Sequence, residues 1–189
     1  HGCVYCYARP DHEYLGFSAG LDFETRIAVK ADAPALLRRE LTRPGYRPRP
    51  VSLSGATDPY QPIERRLRLT RRIIEVLADT RHPTTVVTKN ALVVRDADLL
   101  VRLAADGAVR VWLSVTSLDG SLVRRLEPRT SQPGARLEAI RTLTGAGVPC
   151  GVLAAPMIPG RARGRTMRRI ISHRVEPSAN APSRSTSGV

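Results

Sequence analysis

Short apolar runs alternate with helical segments along residues 51–156, and this alternation restricts the chain to few folds. Runs rich in Val, Leu and Thr predict β-strands at 51–55, 84–88, 109–115 and 148–154. Apolar periodicity and end signals predict helices at 32–42, 63–80, 96–107 and 133–146. Near-continuous apolar strands are typical of strands buried on both faces. The alternation therefore predicts an α/β fold with a parallel sheet and right-handed crossovers.

Polar residues follow three consecutive strands at the point where each strand ends. They are Thr57 and Asp58, then Thr88 and Lys89, then Ser114 and Thr116. In parallel α/β folds the active site lies at these carboxyl ends of the strands. A hydroxyl or carboxylate at such a position can equally cap the following helix. Their recurrence after three strands favours a binding site at this edge of the sheet.

The chain is strongly basic, with a net charge of +13 from 30 basic and 17 acidic residues. Such a charge indicates a polyanionic partner, but all basic residues except Lys30 and Lys89 are Arg, and GC-rich coding could produce the same bias. Residues 161–189 carry seven Arg and one Glu and have little apolar surface to bury, so we expect a disordered Arg-rich tail there. No stretch approaches the ~20 apolar residues of a membrane span, which excludes a membrane partner by this route.

Three cysteines are too few for a disulfide scaffold and favour a reducing, cytoplasmic location. Cys3 and Cys6 are three positions apart, a spacing used by zinc sites, redox dithiols and iron–sulfur loops. A zinc site could recruit His1 and His12, although the chain has no second C-x-x-C pair. Cys150 lies within an apolar strand, and we expect it to be a core residue, with a hydrogen-atom-relay thiol as the alternative.

The segment Cys3-Val4-Tyr5-Cys6 resembles the latter part of the radical S-adenosylmethionine (SAM) signature, C-x-x-x-C-x-aromatic-C, with Tyr5 in the aromatic position. Further segments resemble the spore-photoproduct-lyase-like branch of that superfamily: GLDFETRIAVK, GATDPYQPIE, VVTKN, LEPRT and APMIPG. The resemblance covers residues 1 to about 160.

The resemblance implies an incomplete (β/α)6 partial barrel in which the four predicted strands are the second to fifth. Residues 1–160 would form the partial radical SAM core, followed by the tail at 161–189. The first cysteine of the signature would precede His1, so we expect an N-terminally truncated chain. Near Arg161 the sequence departs from the family pattern, as a shifted reading frame would produce.

The resemblance also implies the cofactors, a [4Fe-4S] cluster bound by Cys3 and Cys6 and a SAM molecule on its open iron. Reductive cleavage of SAM would give a 5′-deoxyadenosyl radical that abstracts hydrogen from substrate. The implied SAM contacts come from the cysteine loop and from the strand ends. They are Tyr5 and Pro156 at the adenine, Gly55, Thr57 and Asp58 at the amino group, Lys89 and Arg136 at the carboxylate, and Ser114 and Thr116 at the ribose.

The implied partners are SAM and a reductant such as flavodoxin or ferredoxin, and the branch suggests a DNA lesion as substrate for a lyase or oxidoreductase. Because two thiolates hold a cluster poorly, we expect the isolated chain to be inactive.

Tyr60 and Glu64 follow the first predicted strand and could face substrate, or Glu64 could cap a helix. The alternative function is a basic nucleic-acid-binding module with a small zinc site.

Overall fold

Four parallel strands form one sheet in the computed structural model, which describes residues 2–157. The strands are β1 (Val51–Leu53), β2 (Thr84–Thr88), β3 (Val109–Ser114) and β4 (Cys150–Leu153), and they pair in the order β1-β2-β3-β4. The predicted α/β fold with a parallel sheet is confirmed. The predicted disordered tail at 161–189 lies outside the described residues.

Helices precede and connect the strands, so that the chain crosses over between parallel neighbours. The α-helices are α1 (Leu21–Thr25), α2 (Ala33–Leu41), α3 (Glu64–Leu67), α4 (Leu69–Asp79), α5 (Ala97–Ala105), α6 (Gly120–Leu126) and α7 (Pro133–Gly145), and 3-10 helices span Arg9–Leu15 and Ala91–Asp96. No helix in the part of the chain that the structure describes has the length and apolar character of a membrane span.

The predicted helix at 63–80 is wrong as a single element, because it divides at Arg68 into α3 and α4. Arg68 adopts a left-handed conformation with φ 49°. The Glu64 carboxylate then accepts hydrogen bonds from the amides of Leu69 and Thr70 at 3.0 Å each. These bonds satisfy two amides at the start of α4 that have no partner within the helix. Glu64 therefore has the capping role that the sequence left open.

Two further elements differ from the predictions. The N-terminal segment contains the 3-10 helix Arg9–Leu15, which the sequence pattern did not predict. The sequence pattern did not predict α6, although Asp119 is a favourable N-cap residue. Its carboxylate accepts hydrogen bonds from the amides of Ser121 and Leu122.

The core lies between one face of the sheet and the helices. Val86, Val111 and Leu113 of the sheet are fully buried in a cluster with apolar residues of α4, α5 and α7. The strands were expected to be buried on both faces, but on the opposite face Val87 and Trp112 are only half-buried. The central strands β2 and β3 therefore have one buried face towards the helices and one more exposed face, whereas β1 and β4 are only partly buried.

Candidate functional site

A cleft of about 710 Å³ lies at the carboxyl edge of the sheet, a volume typical of small-molecule sites. Its floor is formed by the residues that follow β1, β2 and β4 and by the last residue of β3. The cysteine loop, residues 3–6, lines it as well, and parts of residues 11–30 form a further wall. The cleft therefore combines the two features that the sequence singled out, the cysteine pair and the polar strand ends.

Most of the predicted site residues share this cleft. Those that line it are Cys3, Tyr5, Cys6, Gly55, Thr57, Asp58, Lys89, Ser114 and Pro156. Thr116 and Arg136 are not among the lining residues of the described chain. The only two lysines of the sequence, Lys30 and Lys89, both line it.

The cysteine loop is fixed by hydrogen bonds from Arg9. The guanidinium donates to the carbonyl oxygens of Cys3 at 3.2 Å and Gly2 at 3.4 Å. The same group pairs with Glu24 on α1 at 2.8 Å and lies 4.9 Å from the centroid of the Phe23 ring. A side chain outside the loop therefore holds its backbone in shape.

The two thiols differ in exposure. Cys3 is buried, with 7% of its surface exposed, whereas Cys6 is half-buried. Burial, followed by the nearby charge of Glu127, raises the pKa of Cys3. Thiolates are soft donors suited to iron–sulfur chemistry, so the pair fits part of a cluster's ligand set. Residues 2–157 contain no group of three or more His, Cys, Asp or Glu side chains arranged to hold a metal ion.

Among the other candidate metal ligands, His12 lines the same cleft as the two cysteines. His12 Nε2 lies 3.0 Å from the carbonyl oxygen of Arg26, and His1 lies outside the described residues. Cys150 was expected to be a core residue; it is half-buried and packs against the core, and burial raises the pKa of its thiol to about 11. Cys150 does not line the described cleft, which leaves the hydrogen-relay alternative without support.

Asp58 connects the ends of β1 and β2. Its carboxylate accepts hydrogen bonds from the Thr88 hydroxyl at 2.7 Å, the Lys89 amide at 2.7 Å and the Tyr60 amide at 2.8 Å. Burial raises the pKa of Asp58, although these bonds oppose the shift. The acceptor capacity of Asp58 is thus used to shape the floor of the cleft beside Lys89.

Arg136 is fully buried, with no exposed surface. Its guanidinium donates to the carbonyl oxygens of Ser114 and Ser131, both at 2.7 Å, and to Glu127 Oε2 at 2.5 Å. Thr116 donates to Glu127 Oε1 at 2.8 Å. Thr116 and Arg136 therefore face Glu127 beneath the cleft.

Sequence reasoning missed Glu127 and Tyr7. Glu127 has 1% of its surface exposed; the only signal for it was its place in the LEPRT segment. Burial acts to raise the pKa of Glu127, but the Arg136 guanidinium and hydrogen bonds outweigh this and lower it. Tyr7 lines the cleft and donates a 2.7 Å hydrogen bond to the carbonyl oxygen of Gly55. Tyr60 was a candidate for contact with substrate, but it is fully buried.

Comparison with known families identifies the superfamily of this chain. Residues 1–165 match the family model of the radical SAM superfamily. The chain belongs to the radical SAM superfamily. Its four-stranded parallel sheet is therefore part of a radical SAM domain.

Curated relatives of this radical SAM chain include an uncharacterized protein of Mycobacterium tuberculosis, 43% identical over 159 residues. The match covers 84% of this chain and 47% of that relative. An uncharacterized protein of Methanocaldococcus jannaschii is 28% identical over 159 residues, with 84% of this chain and 57% of that protein covered. The chain thus spans about half the length of the curated relatives it matches.

Solved structures of spore photoproduct lyase share the fold. The complex with dinucleoside spore photoproduct superposes with a TM-score of 0.59 and 24% identity, over 90% of this chain and 46% of the other. A variant with bound AdoMet, which is SAM, and dinucleoside spore photoproduct gives a TM-score of 0.60 at 24% identity and the same coverage. This likeness supports the partial radical SAM barrel predicted from the sequence.

Proposed function

We propose that this chain is the cofactor-binding part of a radical SAM enzyme, with the cluster and SAM in the cleft at the carboxyl edge of the sheet. The observation that carries the proposal is the placement of Cys3 and Cys6 in the same cleft as Lys89 and Ser114. A soft thiolate pair and the polar ends of parallel strands thus share one small-molecule site.

Cys3 and Cys6 would supply two of the thiolates for a [4Fe-4S] cluster. A cluster held by these thiolates would supply the electron for the reductive cleavage of SAM. The half-buried Cys6 and the buried Cys3 keep the ligand pair at the boundary between solvent and the cleft.

The other lining residues match the parts of SAM by their chemistry. The Lys89 ammonium complements the carboxylate of SAM. Backbone groups around Gly55 and the hydroxyl of Thr57 offer hydrogen bonds to its amino group, and Ser114 offers them to its ribose. Tyr5 and Pro156 provide apolar surface for the adenine. Each of these residues lines the described cleft.

Arg136, Thr116 and Asp58 are assigned differently from the SAM contacts that the resemblance implied. Their side chains form hydrogen bonds within the protein, to Glu127 or to the ends of β1 and β2. We assign them to the support of the cleft.

The substrate class that we propose is a DNA lesion, processed in a lyase or oxidoreductase reaction. The shared fold supports it, because spore photoproduct lyase is solved with a dinucleoside spore photoproduct. The proposed electron source is flavodoxin or ferredoxin, and the proposed location is the cytoplasm, where thiols stay reduced.

The test is anaerobic reconstitution of the 189-residue chain with iron and sulfide. We expect brown protein whose charge-transfer absorption is lost in Cys3→Ala and Cys6→Ala and is kept in the matched control Cys150→Ala. With two thiolates, the chain should hold less than one full cluster and cleave SAM poorly. A stable full cluster with efficient SAM cleavage would refute the expected inactivity. A colourless protein that binds zinc would refute the cluster and favour the nucleic-acid-binding module.

A further inference from the structure

Glu127, directly after α6, uses both carboxylate oxygens in a buried network. Oε1 accepts hydrogen bonds from the Tyr5 hydroxyl and from Thr116 Oγ1. Oε2 accepts from Arg136 Nη2 at 2.5 Å and from Thr130 Oγ1 at 3.4 Å. A buried carboxylate is tolerable when a cation and further hydrogen-bond donors compensate its charge. For Glu127 the cation is Arg136, and three hydroxyl groups are the further donors.

The network connects the cysteine loop to the sheet. Tyr5 lies between Cys3 and Cys6 in sequence, and its hydroxyl reaches across to a residue 122 positions away. The neighbouring Val4 amide donates to the carbonyl oxygen of Leu126 at 3.0 Å. The loop is thus attached to residues 126 and 127 through one backbone bond and one side-chain bond.

Arg136 fixes the other side of Glu127. Its bond to the carbonyl oxygen of Ser114 places the guanidinium under the last residue of β3, and its bond to Ser131 holds the loop before α7. Ser131 in turn donates to the carbonyl oxygen of Lys89 through its amide at 3.1 Å. The carboxylate therefore has a defined position relative to the ends of both β2 and β3.

We propose that Glu127 is a positioning residue, which holds Tyr5 and with it the cysteine loop over the carboxyl end of β3. The proposal rests on the proposed function, since it gives that loop its role. Hydrogen bonds to a charged acceptor are stronger than neutral ones, so the Tyr5 bond opposes local opening of the loop. Its loss should expose Cys3 without unfolding the sheet.

Thiol alkylation of the metal-free chain under anaerobic reducing conditions tests this proposal. Iodoacetamide labelling is followed by mass spectrometry at Cys3, Cys6 and Cys150 separately. In Tyr5→Phe we expect Cys3 to react about fivefold faster, which corresponds to the ~1 kcal/mol net worth of one hydrogen bond. Measurement across a range of pH separates a change in the pKa of Cys3 from a change in its exposure.

Thr116→Val is the matched control, because it removes a hydroxyl donor from the same Glu127 oxygen without altering the cysteine loop. We expect Cys3 labelling in this variant to stay within twofold of the unmodified chain, and Cys150 labelling to be unchanged in both. Glu127→Gln should expose Cys3 at least as much as Tyr5→Phe. The combined Tyr5→Phe and Glu127→Gln variant should add little to Glu127→Gln alone, because the two residues contact each other and their effects are not additive.

Three outcomes would overturn the proposal. Cys3 could remain equally protected in Tyr5→Phe, Cys3 and Cys150 could accelerate in parallel, or Thr116→Val could expose Cys3 as much as Tyr5→Phe does. If Glu127→Gln does not fold, Tyr5→Phe and Thr116→Val still decide the result. The measurement needs neither iron nor SAM, so a failed reconstitution would remove the proposed function and leave the link between Glu127 and the loop standing.

Discussion

The Trp112 indole lies against Gly151 across the β3–β4 pair, on the face of the sheet opposite the helices. A Cβ built on Gly151 would lie 2.4 Å from Cζ3 of the indole. No other residue type fits this position without moving the ring or the strand. Trp112 precedes by two positions Ser114, the β3 residue that lines the cleft.

Gly151→Ala should therefore destabilise the fold by about 1–3 kcal/mol, the usual cost of overpacking. Urea unfolding followed by the fluorescence of Trp112, the chain's single tryptophan, measures the change. Gly134→Ala is the control, since a Cβ there meets no atom within 4 Å, and its stability should match or exceed that of the unmodified chain. Equal free energies of unfolding for the two variants would contradict this prediction, because they would show that the Trp112 indole moves aside at no cost.

Gly2→Ala should loosen the cysteine loop. Gly2 has φ +72°, and an added Cβ would lie 2.9 Å from Arg129 Nη1 and 3.2 Å from the Glu24 carboxylate. Gly45, with φ +78° and no atom near a Cβ, supplies the control, because Gly45→Ala has the backbone strain without the crowding. We expect faster alkylation of Cys3 in Gly2→Ala alone. Similar rates of Cys3 labelling in the two variants would contradict this prediction. They would mean that Arg129 and Glu24 move away from the added methyl group without loosening the cysteine loop.

The pKa of Glu127 should lie below its ordinary value of 4.5, because Arg136 and the hydrogen-bond donors outweigh the effect of burial. The unfolded chain then binds a proton at a higher pH than the folded chain does. The stabilising contribution of Glu127 is therefore complete above pH 4.5 and is lost as the pH falls through the lowered folded pKa. Carboxyl-carbon NMR of glutamate-labelled protein measures this titration; a midpoint at or above 4.5 contradicts the compensation by Arg136.

Lys89→Ala should weaken SAM binding by roughly 10-fold or more, the scale of a lost charge-assisted hydrogen bond. Lys30→Ala is the matched control, because Lys30 is the other lysine that lines the cleft and lies on the wall formed by residues 11–30. We expect it to change SAM affinity less than twofold. Equilibrium dialysis with labelled SAM on the reconstituted chain compares them. If the two variants lose affinity equally, Lys89 has no special role at the SAM carboxylate.

The sequence predicted the sheet and the location of the cleft because both depend on local patterns. Apolar runs locate strands, and parallel strands necessarily bring Lys89 and Ser114 to one edge. The break at Arg68 was not predictable in this way, since it depends on Glu64 reaching the amides of α4 and carries no Gly or Pro signal. The start of α7 at Pro133 was predicted from a local signal. The orientation of Arg136 was not predictable, because it depends on Glu127, which belongs to another segment of the chain.

The Tyr5–Glu127 contact was equally out of reach of local patterns. Its partners are separated by 122 positions, and nothing in the surroundings of either residue indicates the other. The resemblance identified Tyr5 by its place in the cysteine motif, and LEPRT contained Glu127. Only the fold shows that these two motifs meet.

Electron paramagnetic resonance of the reconstituted, reduced chain with and without SAM tests the central claim most directly. We predict an iron–sulfur signal that changes when SAM is added, disappears in Cys3→Ala and Cys6→Ala, and persists in Cys150→Ala. Because two thiolates hold the cluster, its intensity should correspond to less than one cluster per chain. A signal that SAM leaves unchanged, or one that survives the loss of Cys3 and Cys6, would contradict a SAM-binding cluster in this cleft.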